Sequence, residues 1–386
     1  MSAFRLITQP LRSTRFYSTA TPSRLAAVAN TASNTVPQAA SAAAVHASGP
    51  LRNDWSREEI QAIYDSPFLD LMYYAAKVHR ENFNPREVQQ STLLSIKTGG
   101  CTEDCKYCPQ SSRYKTNVEA QKMLDENVIL DAAQRAKDAG STRFCMGAAW
   151  RDLAGRKSNF KKILTHVKTI RGMGMEVCCT LGMLNEEQAK QLKDAGLTAY
   201  NHNLDTSREF YPKIITTRTY DERLETIKNA QDAGISVCSG GIIGLGEQDE
   251  DRVGLLHTLS TLEQHPESVP VNALLAVQGT PLEDQQPVSV FEMVRMIATA
   301  RIVMPHSMVR LSAGRVRFSM AEQSMCFLAG ANSIFTGDKL LTTPNNDKND
   351  DQKMFEVLGL VPKPANFAQG SDKPEKRVYN APTTAQ

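Results

Sequence analysis

From residue 91 onward the chain alternates two patterns. Short apolar runs rich in β-branched residues suit buried strands. Longer stretches with apolar residues three and four apart suit helices with one buried face. The first strand is predicted at 91–98. A helix at 129–140 then leads into a strand at 142–147, and 159–174 into 175–182. The helix 185–196 leads into 197–203, and 219–234 into 235–241. Further on, 250–264 leads into 268–277, 290–304 into 306–314, and 320–331 into 332–337, with a last helix at 351–360. The string Asp-Ala-Gly recurs at 138–140, 194–196 and 232–234, each time ending a helix just before a strand. Glycine there suits the left-handed residue that follows a helix C-terminus. Eight strand–helix units over about 250 residues describe a (β/α)8 TIM-type barrel, with an open doubly wound sheet as the alternative. The stretch 54–82 reads as two helices packed before the first strand, separated by the turn signal Asp65-Ser66-Pro67.

Composition changes the picture mainly at the ends. The first 53 residues hold Arg5, Arg12, Arg15, Arg24 and Arg52, many Ser, Thr and Ala, and no acid before Asp54. An arginine-rich, serine-rich, acid-free N-terminus is the pattern of a mitochondrial transit peptide. Arg15-Phe16-Tyr17-Ser18 has the look of a matrix processing site. Cleavage after Tyr17 would remove three arginines and take the formal charge from +2 to −1. Residues 18–50 read as a low-complexity linker, 54–362 as the catalytic barrel, and 363–386 as a polar tail. A charge of +2 gives no reason to invoke nucleic acid. No apolar run reaches the roughly 18 residues of a membrane span, so no membrane is expected. With 8 cysteines in 386 residues the chain is not a disulfide-stapled scaffold.

The cysteines carry the chemistry. "CTEDCKYC" places Cys101, Cys105 and Cys108 at C-x3-C-x2-C spacing directly after the first strand, where a barrel of this kind keeps its active-site loops. Structural zinc prefers four protein ligands, and an iron–sulfur cube normally takes four thiolates. Three ligands leave one metal position open for a substrate or cofactor. Cys145, Cys178 and Cys238 fall in the second, third and fifth predicted strands, and Arg310 in the seventh. Alternation along strands allows all four to meet inside one barrel. Only one of the neighbours Cys178 and Cys179 can point inward, and the strand pattern does not say which. Cys326 on a helix reads as a small buried hydrophobe.

The three-cysteine motif, with Tyr107 before its last cysteine, resembles the signature of radical S-adenosylmethionine (SAM) enzymes. There, three cysteines hold a [4Fe–4S] cluster whose fourth iron is chelated by SAM. Reduction then cleaves SAM to a 5′-deoxyadenosyl radical. The wider set "RFCMGAAW" (143–150), "YNHNLDT" (200–206), "IITTRTY" (214–220), "CSGGIIGLGE" (238–247), "VPVNALLAVQGTPL" (269–282), "VRLSAGR" (309–315) and "AGANSIFTGDKLLTTPN" (329–345) resembles the biotin synthase family across residues 54–362. The resemblance implies a [2Fe–2S] cluster deep in the barrel on Cys145, Cys178, Cys238 and Arg310. It implies SAM contacts at Asn203 and Asp205, and the positions of Tyr107 in the cysteine motif and of Arg143, two residues before Cys145, add them as SAM-binding candidates. For the substrate dethiobiotin it implies Asn203 and Asn272 at the ureido ring, Asn201 in support, and Thr342 and Thr343 at the carboxylate tail. The activity implied is radical insertion of sulfur into dethiobiotin, giving biotin, in the mitochondrial matrix. The implied partners are a ferredoxin-type electron donor, the iron–sulfur assembly machinery and a second copy of the chain.

Overall fold

The computed structural model describes residues 40–337 and 339–366. The expected leader, most of the linker, and the tail from residue 367 lie outside the described residues. Nine parallel segments build the central sheet: β1 (Glu87–Lys97), β2 (Arg143–Ala148), β3 (Glu176–Thr180), β4 (Ala199–Asn201), β5 (Ser236–Cys238), β6 (Gly241–Ile243), β7 (Ser268–Ala273), β8 (Met308–Leu311) and β9 (Ser333–Thr336). Their order is β1-β2-β3-β4-β5-β7-β8-β9, and β9 pairs back onto β1 with Ser91 opposite Phe335. That closure is a (β/α)8 barrel and rules out the open sheet.

The predicted fifth strand is interrupted. Cys238 pairs with Ser268 and Gly241 with Val271, so β5 and β6 keep one register along β7 across a break at 239–240. A Cβ on Gly240 would lie 2.0 Å from the Pro270 carbonyl oxygen, so only glycine fits this close approach. The Gly240 carbonyl turns instead to accept from the Leu204 and Asp205 amides.

Helices cover the barrel because their apolar residues recur every third or fourth position. Helix Lys157–Gly172 buries Phe160, Ile163, Val167 and Ile170. Gly140, Gly196 and Gly234, the three recurrent stops, all have positive φ, as expected. Helix Val290–Val303 is buried on nearly every side. The reason lies in the N-terminal extension, helices Arg57–Tyr64 and Phe68–Asn82, which lie across it. Trp55 Nε1 donates to the Val303 carbonyl at 3.2 Å, and Arg295 Nη1 to that of Ser66 at 3.0 Å.

Two boundaries differ from the sequence reading. Ala42–His46, inside the expected linker, is a short helix capped by Ser41, with Ala43 fully buried and His46 packed edge-on to Trp55. A small-residue sequence hides this contact, because the buried face is made of alanine. At the other end, Lys363 and Asn366 of the expected tail donate backbone N–H bonds to Val88 O and Glu176 Oε1.

Candidate functional site

The strands deliver their C-terminal ends to a cavity of about 330 Å³. Its mouth is the loop after β1. Gly99 and Gly100, both at φ 68°, turn the chain, and a Cβ on Gly99 would strike the Glu119 carbonyl at 2.6 Å. The loop then closes on itself: Cys101 N donates to Gln110 O, Ser112 N to Cys101 O, and Cys108 N to Cys105 O. Cys101, Cys105 and Cys108 all line the cavity. Burial raises all three thiol pKa values, that of Cys108 to about 11. Among the described residues no three His, Cys, Asp or Glu side chains gather as a single-ion site. A cluster does not ask for that, since each thiolate binds a different iron. Three soft donors on one loop around one cavity fit such a group.

A second set lies deeper. Leu93, Cys145, Cys178 and Ala199 stand in one register row across β1 to β4. Cys145, Cys178 and Ala199 pack together inside the barrel, with Leu93 and Phe335 against them. Cys178 stands directly beside Cys145. The interaction with that thiol first, and burial second, push the Cys178 thiol well above its usual range. Arg310 Nη1 sits 3.6 Å from Cys238 Sγ. Cys145, Cys178 and Arg310 line the same cavity. Cys179 is fully buried in the outer apolar layer and is absent from the cavity wall, so the strand points Cys178 inward.

Arg310 is 1% exposed, and its support escaped the sequence reading. Its Nε donates to Ser333 Oγ at 2.9 Å, and Nη2 to Gln89 Oε1 at 3.1 Å and Ser91 Oγ at 3.4 Å. Phe335 lies against its face, 4.5 Å from guanidinium carbon to ring centroid. Gln89 and Ser91 alternate on β1, and that inward parity was the available signal.

Between the two sets runs a polar band. Asn201, Asn203, Asp205, Asn272, Thr342, Thr343 and Tyr107 all line the cavity. Asp205 is buried at φ 69°, a conformation that costs about 1–3 kcal/mol outside glycine. Its Oδ2 accepts from Tyr107 Oη at 2.9 Å and pairs with Arg223 Nη2 at 2.6 Å. Arg223, a cavity residue the sequence reading missed, comes from helix Tyr220–Asp232 and also donates to the Asn203 carbonyl. Asn272 links β6 to the loop after β8: Nδ2 donates to Gly241 O at 2.8 Å, and Oδ1 accepts from Ala313 N at 3.1 Å. One N–H and one lone pair of its amide remain for a ligand. Asn201 Nδ2 donates to Thr180 Oγ1 at 3.2 Å. Leu341, at φ 48°, brings Thr342 and Thr343 over the cavity, and its Cδ2 fills the space where Gly147 lacks a Cβ.

Arg143 is a correction. It lies at the floor of the barrel, not in the cavity wall. Its Nε donates to Glu176 Oε2 at 2.6 Å, and Nη1 and Nη2 clasp Glu267 at 3.0 and 2.9 Å. The guanidinium is spent on two carboxylates, which leaves none of it for SAM.

Known proteins bear on this architecture. Residues 95–259 match the Radical SAM superfamily, and residues 270–361 match the Biotin and Thiamin Synthesis associated domain. Among solved structures, methylornithine synthase superposes with a TM-score of 0.70 at 20% identity, covering 85% of this chain and 98% of that one. The [FeFe]-hydrogenase maturase HydG superposes with a TM-score of 0.70 at 19% identity, covering 81% and 72%. Both confirm the barrel. A closed parallel barrel with three cysteines after its first strand is the mark of a radical SAM enzyme, and this chain belongs to that superfamily. It is 71% identical over 327 residues to "Biotin synthase, mitochondrial" of Arabidopsis thaliana, covering 85% of this chain and 86% of that protein. Against "Biotin synthase" of Cytophaga hutchinsonii it is 64% identical over 333 residues, covering 86% and 98%. The chain is a member of the biotin synthase family.

Proposed function

We propose that this enzyme inserts sulfur into dethiobiotin to close the ring of biotin. One observation carries the reading: two separate thiol sets, one at the mouth and one at depth, face a single cavity across a band of amides and one carboxylate. Cys101, Cys105 and Cys108 would hold a [4Fe–4S] cluster, and Cys145, Cys178, Cys238 and Arg310 a [2Fe–2S] cluster. When bound, the first cluster with SAM supplies hydrogen abstraction from saturated carbon, and the second supplies sulfur.

The chain's own residues do the positioning. Asp205, fixed by Arg223 and Tyr107, keeps Oδ1 for the ribose hydroxyls of SAM, with Asn203 beside it. Asn203 and Asn272 offer amides that donate and accept at once, as a cyclic urea requires. Asn201 supports them, and Thr342 and Thr343 take the substrate carboxylate. Leu93, Phe335, Trp150 and Leu341 line the remaining wall and exclude water from a reactive intermediate. A ferredoxin-type protein would supply electrons, and the iron–sulfur assembly machinery would load the clusters. The chain would act as a homodimer in the mitochondrial matrix after loss of its leader; two relatives bear names that include mitochondrial.

The test is anaerobic reconstitution followed by iron, sulfide and Mössbauer analysis, then addition of SAM, dethiobiotin and reductant. Both cluster types should be present, and the [2Fe–2S] signal should decline as biotin appears. A single [4Fe–4S] cluster, with SAM cleaved and no biotin formed, would overturn the proposal and leave only the radical SAM assignment.

A further inference from the structure

The cysteine loop is held by a segment far away in sequence, residues 214–218. Lys106 N donates to Ile214 O at 3.1 Å. Asp104 Oδ1 accepts from Thr216 N at 2.9 Å and Thr217 N at 3.2 Å, and Thr216 Oγ1 donates to Oδ2. Thr217 Oγ1 accepts from Asp104 N at 3.2 Å. The same hydroxyl lies in donating range of Asp104 Oδ1, at 2.9 Å, and of Glu103 Oε2. Arg151, from the loop after β2, reaches the Thr217 carbonyl and lies 3.6 Å from Glu103. Two carboxylates of the loop are thus committed to one threonine pair.

That segment runs straight into helix Tyr220–Asp232, whose first turn is fixed by a capping box of Thr219 and Glu222. One turn on, the same helix sends Arg223 to Asp205. One continuous stretch, residues 214–223, therefore contacts both the cysteine loop and the carboxylate of the polar band. Loops are ordinarily the mobile part of a barrel. Here the two loops that must agree in position are stitched to one helix and the segment that leads into it.

We propose that Asp104, Thr216 and Thr217 are positioning residues that keep Cys101, Cys105 and Cys108 in register with Asp205, so that SAM cleavage stays coupled to hydrogen abstraction from the substrate. The proposal rests on the reading of those cysteines as cluster ligands. No atom of the brace belongs to a cluster, so it should operate in the metal-free chain as well.

The experiment uses the full chain carrying Asp104→Asn, Thr217→Val or Thr217→Ser. Valine keeps the shape of threonine and removes its hydroxyl, whereas serine keeps the hydroxyl. In reduced, metal-free protein, alkylation of Cys105 by iodoacetamide is followed by peptide mass spectrometry, with buried Cys179 as the reference for global opening. In reconstituted protein, SAM cleaved per biotin formed is measured. Loss of one such bond should speed Cys105 alkylation about fivefold in Asp104→Asn and Thr217→Val, with Cys179 unchanged. More SAM should be consumed per product in both, and Thr217→Ser should match wild type in both assays. Unchanged Cys105 alkylation, equal acceleration at Cys179, an unchanged SAM-to-product ratio, or failure of serine to rescue would each overturn the proposal. If wild type forms no biotin, the proposed function fails, while the alkylation result still decides whether the brace holds the loop.

Discussion

Arg143 offers the sharpest test of how the barrel is held together, because its replacement separates a floor residue from a ligand contact. In Arg143→Met the side chain keeps its length and loses its charge. Glu176, 1% exposed, and the largely buried Glu267 then face each other with no cation between them. Removing one partner of a buried pair costs about 3–5 kcal/mol. At the roughly 2–4 °C per kcal/mol of domains somewhat smaller than this one, that is a fall in Tm on the order of 6–20 °C. The pH dependence has a definite sign. In wild type, burial pushes the Glu267 pKa up, but Arg143, aided by Arg310 and Lys363, outweighs it and the net shift is downward. A depressed folded value means that the stabilisation is present above the unfolded value of about 4.3 and is lost as pH falls through the folded value. In the variant Glu267 loses its main counter-charge, so its folded value rises, and protonation relieves it as pH falls. The Tm gap between wild type and variant should therefore be widest near pH 8 and narrow toward pH 5. Thermal unfolding of the metal-free proteins by circular dichroism across that range measures it, and adding Glu267→Gln to Arg143→Met should recover part of the loss. An unchanged Tm together with weakened SAM binding would refute the floor assignment and return Arg143 to the cavity.

Other outcomes follow from the geometry. Cys178→Ala should abolish the [2Fe–2S] absorption after reconstitution and spare the other cluster, whereas Cys179→Ala should keep both and cost only about 1 kcal/mol of stability. Asp205→Asn leaves Arg223 buried beside a neutral amide, and SAM affinity should fall by one to two orders of magnitude, about 1.5–3 kcal/mol, in equilibrium binding to the reconstituted enzyme. Gly182 sits at φ 85°, and a Cβ there would lie 2.2 Å from the Arg151 carbonyl. Gly182→Ala should lower stability by about 2 kcal/mol or more in denaturant unfolding.

Most of the fold was legible because its signals are local. The short, continuously buried run of β2 and the three-and-four spacing of helix Lys157–Gly172 are each written within a few neighbouring residues. The cavity residues were legible for a related reason: Asn201, Asn203 and Asp205 follow one strand, and a strand carries its residues to one place. What stayed hidden depends on distant partners. Arg143 looked available because Glu176 and Glu267 lie on other strands or beyond them, and no local pattern announces a bidentate clasp. The grip of Thr216 and Thr217 on Asp104 and the support of Arg310 by Gln89 and Ser333 are hidden in the same way. The choice between Cys178 and Cys179 needed only strand parity, but fixing parity required the pairing of Cys178 with Cys145 and Ala199. The interruption between β5 and β6 arises from the approach of Pro270, again a neighbour from another strand.

The clasp of Arg143 on Glu176 and Glu267 also bears on traffic. With this clasp, the bottom of the barrel is plugged by charge as well as by packing. Cys145, Cys178 and Cys238 are each at most 3% exposed. Whatever is delivered to them has to descend from the mouth, past Cys101, Cys105 and Cys108 and through the space that SAM and substrate would fill. The deep position is then a last-in-line berth behind a working entrance. On the proposed function it would be filled before the upper ligands arrive and restocked only after they have left, so repair and turnover would compete for one doorway.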